Sequence, residues 1–270
     1  MTEQATTPPS ETPLLIQERP GPHMALLHLN RPDKYNALSS GLVRALVAAL
    51  EDCQREKMRC VILTGHGRAF AAGADIAELE RCDAVAAAVY IQSLQGLCRR
   101  IEHFPVPVIA AINGLAMGGG FEVALACDWL VAEEQARFAL PEIKLGVIPG
   151  AGGTQRLPRL IGRNRAKEMI FLGEAITAQQ ALAMGVVNRV VPVGQAVATA
   201  VALAEQLAKQ APVALQAAKR VINQGLEQPL GTALELEASA LAVLFGTPDQ
   251  QEGMAAFVAK RKPRFTGEQG

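Results

Sequence analysis

Two unbroken apolar segments, CVILTG at 60–65 and VIAAI at 108–112, each run into a loop of small residues, AFAAGAD and NGLAMGGGFE, and each loop leads on to a helical pattern. A strand that is apolar at every position has no face to offer to water. It belongs to a sheet covered on both sides, the habit of parallel strands joined by helices. A third strand, DWLVAEE (128–134), continues the series. Strand–helix alternation of this kind predicts an α/β fold with a parallel sheet.

Around this centre the pattern is equally directional. Apolar segments near Leu14–Gln17 and Met24–Leu29 open the chain, and NRPDKYNAL supplies turn chemistry. Leu42, Val43, Leu46, Val47 and Leu50 predict a helix over 41–57, with Ser39 or Ser40 as its cap. Tyr90, Leu94, Leu97, Cys98 and Ile101 predict another over 84–103. Further helical patterns lie at 163–172 and 177–184, a strand at VVNRVV, and an Ala-rich, almost wholly helical stretch from Ala196 onward. The expected organisation is a flexible acidic, proline-rich tail at 1–12, a core at 13–195 and a helical C-terminal part at 196–270.

Composition limits the classes of function. The 26 basic and 26 acidic residues cancel, which gives no general pull toward nucleic acid or an anionic membrane. The N-terminus has neither the basic start nor the apolar block of a signal peptide. The uncharged run from Pro105 to Phe121 holds prolines and glycines and reads as buried strand plus loop, not a membrane span. The five cysteines contain no C-x-x-C pair and read as reduced, buried thiols of a cytoplasmic protein.

The two small-residue loops share one chemical logic. Each offers backbone N–H groups with little side-chain bulk, and N–H groups at a helix start are unpaired and partly positive. Two such loops side by side can hold one oxygen that becomes negative, where a single donor contributes roughly 2.7–4 kcal/mol. The same glycines also permit tight strand–helix packing, and the residues alone leave both readings open. Glu122 and Glu142 could divide proton work. They could equally be a helix-start glutamate and a surface glutamate. The four histidines are isolated, there is no G-x-S-x-G, and Asp75 reads as a helix N-cap. KRKPR (260–264) reads as a solvated basic face or a phosphate contact.

Taken together, LNRPDKYNAL, AFAAGADI, NGLAMGGGFEVALACD, FALPEIKLGVIPGAGGTQRLPRLIG and EGMAAFVAKRKPRF resemble the crotonase (enoyl-CoA hydratase/isomerase) superfamily, over about residues 12–266 and most like a bacterial-type enoyl-CoA hydratase. The resemblance implies a crotonase-like spiral of ββα units with a helical C-terminal trimerisation region, as a homotrimer or dimer of trimers. It implies a coenzyme A thioester as ligand, CoA being part of the substrate, with no metal or redox cofactor. The oxyanion hole would be the N–H groups of Ala74 and Gly119, and Glu122 and Glu142 would be the catalytic pair. Lys34, Ala37, Ala72, Gly73, Asp75, Ile76 and Lys260 would meet the CoA portion, and Gly150 would line the water site. Phe121 and Ala139 depart from frequent family choices and are expected to shape the acyl pocket.

Both glutamates are present, so the resemblance favours hydration of a trans-2-enoyl-CoA over double-bond isomerisation or thioester hydrolysis. INQGLE, NGLAMGGG and TQRLPR also look similar to the methylglutaconyl-CoA hydratase branch, some members of which bind RNA through a lysine-rich helix. Here that helix, SGLVRALVAALEDCQREKMR, has mixed charge, which argues against RNA binding.

Overall fold

The structure, a computed structural model, describes residues 12–268; the expected flexible tail at 1–12 therefore lies, Thr12 apart, outside the described residues. In chain order the strands are β1 (Leu15–Gly21), β2 (Met24–Leu29), β3 (Cys60–Gly65), β4 (Ala69–Ala71), β5 (Val108–Ile112), β6 (Leu115–Met117), β7 (Trp129–Glu133), β8 (Arg137–Ala139), β9 (Ile176–Thr177) and β10 (Arg189–Val191). The helices are α1 (Ser40–Arg55), α2 (Ile76–Leu79), α3 (Ala84–Glu102), α4 (Gly119–Leu125), α5 (Gly153–Ile161), α6 (Arg163–Leu172), α7 (Ala178–Ala183), α8 (Ala196–Leu207), α9 (Pro212–Gly225), α10 (Leu230–Leu244) and α11 (Pro248–Val258).

The chain winds as a spiral. One strand of each turn joins a six-stranded sheet of order β1-β2-β3-β5-β7-β10, and the next joins a four-stranded sheet of order β4-β6-β8-β9. Helices then carry the chain back. Thus β3 pairs in parallel with β5 and β5 with β7, while β4 pairs in parallel with β6 and β6 with β8. The long strands were legible as apolar runs. The second sheet was not, because a strand of three residues is too short to carry a period.

The two faces of the larger sheet explain the unbroken apolar runs. Val61, Leu63, Ala110 and Ile112 pack toward α1 and α3 with Leu42, Leu46, Leu50, Leu94 and Leu97. Cys60, Ile62, Ile109, Ala111 and Val131 pack toward Ala200, Leu203, Ala204 and Leu207 of α8. Alternate residues therefore point to opposite faces, and both faces are dry. Burial of each Leu or Ile contributes about 1.5–3 kcal/mol. The packing runs across residue 195, since α8 covers a face of the sheet that the core itself leaves open.

Local signals agree with their expected roles. Ser39 caps α1 by accepting from Leu42 N–H, and Asp75 caps α2 by accepting from Ala77 N–H. Four of the five cysteines are buried thiols and Cys82 is half-buried. Among the described residues, no single helix is long and apolar enough to cross a membrane.

Candidate active site

The ends of β4 and β6 bring the two small-residue loops together. Residues 72–75 leave β4 and are tied down from three directions. Ala72 N–H donates to Tyr35 O at 2.9 Å, and Leu38 N–H donates to Gly73 O at 2.8 Å. Arg31 pairs with Asp75 at 2.8 Å. The Tyr90 hydroxyl accepts from Asp75 N–H at 3.2 Å and itself donates to Leu38 O. Ala74 N–H, in the middle of this clamp, has no hydrogen-bond partner among the described residues.

The glycine triplet lies opposite. Gly118 adopts φ 50° and ψ −129°, a conformation that strains any residue with a Cβ. That twist starts α4 at Gly119, whose N–H falls before the first intrahelical bond and has no partner among the described residues. A Cβ placed on Gly119 would lie 3.5 Å from Ala74 N, and one placed on Gly73 would lie 3.7 Å from Gly119 N. The two unpaired amides are therefore immediate neighbours. A Cβ on Gly120 would lie only 2.1 Å from Ala71 O, so this glycine lets α4 press against β4 and bring them together.

Glu122 is on the first turn of α4 and is buried. Its Oε1 accepts from Ala151 N–H at 2.8 Å and from Gly153 N–H at 2.7 Å. Burial pushes its carboxyl above the ordinary value, and those N–H donors and the nearby Arg156 charge pull back. Glu142 follows Pro141 in the one-turn helix Glu142–Leu145. Its Oε1 packs 3.0 Å from where a Gly118 Cβ would sit, and its Oε2 is buried with no hydrogen-bond partner among the described residues. Burial, reinforced by the Glu122 charge, pushes Glu142 up to about 7 against a weaker pull from its own backbone N–H. The environments thus separate the pair: Glu122 has N–H donors and a cation for its negative form, while Glu142 has little to stabilise its own.

The structure brings most of the expected site residues into one place. The segments at Lys34–Ala37 and Ala72–Ile76 are adjacent, joined by the hydrogen bonds above. Lys34 and Ile76 are exposed there. Gly150 is half-buried, and its carbonyl accepts from Gln95 Nε2 at 2.6 Å. Lys260 is exposed just beyond α11 and forms no ion pair among the described residues. Phe121 is fully buried and packs against Phe138 with ring centroids 5.3 Å apart. Its position one residue before Glu122 turns it to the side of α4 that meets the β8 strand. Sequence reasoning missed Ala151, Gly153 and Arg156, which surround Glu122, and Tyr90, which clamps the Ala74 loop. The glycines of PGAGG were the only signal for the first two.

Comparison with known proteins identifies the family. The model of the enoyl-CoA hydratase/isomerase family matches residues 21–268. The chain is 45% identical over 243 residues to 2,3-dehydroadipyl-CoA hydratase of Escherichia coli, covering 90% of this chain and 94% of that protein. It is 40% identical over 250 residues to the short-chain-enoyl-CoA hydratase of Clostridium acetobutylicum, covering 92% and 95%. The crystal structure of an enoyl-CoA hydratase from Bacillus anthracis superposes with a TM-score of 0.92 at 42% identity, over 95% of this chain and all of that one. Spiral, paired small-residue loops and a family match across nearly the whole described chain lead to one conclusion: this chain belongs to the enoyl-CoA hydratase/isomerase family.

Proposed function

We propose that the protein hydrates a trans-2-enoyl-CoA to a 3-hydroxyacyl-CoA. The observation that carries this reading is the convergence, on one point, of two unpaired amides and two carboxyl groups held in different environments. The N–H groups of Ala74 and Gly119 hold the thioester oxygen and stabilise the enolate that forms. Glu122, ionised, takes a proton from a water whose oxygen bonds to C3 as the C2–C3 π electrons move toward the carbonyl. Glu142, protonated, gives its proton to C2 as the enolate collapses. A proton then passes from Glu122 back to Glu142, and the pair is restored. The CoA portion lies along Lys34–Ala37 and Ala72–Ile76, with Gly73 and Asp75 in the wall, and Gly150 borders the water. No metal or redox group enters these steps, since CoA travels with the substrate.

Exposed apolar side chains on the C-terminal helices and just beyond, such as Leu241, Phe245, Phe257 and Val258, support a homotrimer or dimer of trimers in which a neighbour's Lys260 reaches the nucleotide phosphates. Sedimentation equilibrium tests the assembly.

The test of the activity is hydration of crotonyl, longer straight-chain, 3-methylglutaconyl and 2,3-dehydroadipyl thioesters, followed by loss of conjugated-thioester absorbance. E122Q and E142Q each lose roughly 10²–10⁴-fold. An E122Q enzyme that still moves the double bond but no longer adds water identifies an isomerase instead. Release of free thiol from saturated acyl-CoA identifies a thioester hydrolase.

A further inference from the structure

The contacts that end at Glu122 begin at a residue outside the catalytic pair. Arg156, on α5, is mostly buried and reaches in two directions. Its Nη1 donates to the carbonyl of Ala151 at 3.0 Å, and its Nη2 donates to Glu102 Oε2, the last residue of α3, at 2.6 Å. Ala151 N–H and Gly153 N–H are the two donors to Glu122 Oε1. Gly152, between them, has φ 116°, and a Cβ there would lie 2.0 Å from Arg156 Nη1. The guanidinium thus fills the space that a side chain on the loop would occupy.

The anchor is itself fixed. Asn223 of α9 donates to Glu102 O at 2.9 Å, and Lys219 donates to Ile101 O at 3.2 Å. The end of α3 therefore has little freedom, and Arg156 transfers that rigidity to residues 151–153. The other charged or titratable groups facing Glu122 are few. The α3 helix offers Glu102, already paired with Arg156, and Cys98, whose thiol burial pushes up to about 12 and so keeps neutral. The turn after β8 offers Glu142. The β4 and β6 strands, AFA and LAM, offer none. Among the groups that act most strongly on Glu122, Arg156 is the cation.

We propose that Arg156 is a positioning residue for the reaction: it shapes the 151–153 loop around Glu122 and supplies a positive charge that favours the ionised form of this carboxylate. The inference rests on the reading of Glu122 as the base. Its consequence is a pH dependence, because the acid limb of kcat/KM follows the ionisation of that base in the free enzyme.

The experiment compares the acid limb and the plateau of kcat/KM for crotonyl-CoA hydration in wild type, R156Q, R156K, E102Q and E122Q, with circular dichroism as the check on folding. R156Q moves the acid limb up by about one pH unit, as loss of a nearby opposite charge requires, and lowers the plateau about tenfold or more as the loop loosens. R156K brings the limb back while its plateau stays low, because an ammonium restores the charge but not the two-pronged hold. E102Q lowers the plateau without raising the limb, since it removes a negative charge that offsets Arg156. An R156Q enzyme that folds and keeps the wild-type limb overturns the inference, whatever its plateau. Should R156Q not fold, an R156K plateau equal to wild type or an E102Q limb that rises overturns it. E122Q separates the two levels: if it retains hydration, the base assignment beneath the inference fails; if it is inactive and the R156Q limb has not moved, only the role of Arg156 fails.

Discussion

Gly120→Ala is the substitution whose effect is most closely determined by the structure. The added Cβ would sit 2.1 Å from Ala71 O and 2.7 Å from Ala71 C. Both atoms are backbone, so no side chain can swing aside. Cβ contacts under 3.0 Å are essentially never seen, so β4 and α4 must part by about 1 Å. Overpacking of this kind costs about 1–3 kcal/mol. The separation acts directly on the site, because Ala71 lies three residues before Ala74 and Gly120 one residue after Gly119. Parting the two loops by that distance pulls the paired amides away from a common oxygen, and a 1 Å misplacement costs about 10²-fold in rate. G120A is therefore expected to melt a few degrees lower and to lose about 10²-fold in kcat for crotonyl-CoA. Gly119→Ala is the control: its Cβ meets the Leu94 side-chain end at 3.0 Å, which can shift, yet lies 3.5 Å from Ala74 N, on the hole itself. G119A should keep wild-type stability to within about 1 kcal/mol and still lose activity. A G120A enzyme within threefold of wild type in kcat would refute the claim that this contact sets the spacing of the amides.

Three further outcomes follow from the electrostatics. If Glu142 gives the proton, kcat/KM falls as pH rises through about 7, where that carboxyl ionises, and a profile flat to pH 9 counts against its role. The same carboxyl affects stability: its folded-state value lies above the ordinary 4.5, so the contribution is complete below that pH and is lost as pH rises through about 7. E142Q should therefore gain stability over wild type between pH 5 and pH 8, by about 1–2 kcal/mol after allowance for partial solvent access, in denaturant titrations at the two pH values. Lys219→Met leaves the half-buried Asp128 without the cation that now lies 2.7 Å away, and should cost about 1–3 kcal/mol, most of it recovered in the D128N/K219M double variant.

How far the site could be read in advance differs residue by residue. Glu122 and Glu142 were candidates on their setting, since one opens an apolar helix and the other follows a proline, but nothing local separated catalysis from ordinary helix-start and surface roles. The Ala74 and Gly119 amides were legible as loops able to bind an oxygen, yet their adjacency depends on β4 and β6 pairing across 46 residues from Ala69 to Leu115. Arg156 lies 34 positions after Glu122 in the chain, and TQRLPR carries no sign that one of its arginines is buried behind a carboxylate.

The order of amino acids alone determined the long buried strands β3, β5 and β7, the helix α1 with its Ser39 cap, the helices α3 and α6, and the presence of small residues where backbone must be approached. Those properties are local: they depend on periodicity, on side-chain polarity within a few residues, and on the conformational freedom of glycine. Only the folded spiral decided which amides stand side by side, which carboxyl is stripped of water at Oε2, and which cation faces its partner. Desolvation and charge–charge interaction act through space over a few ångströms, and the neighbours that set them come from turns of the chain tens of residues apart.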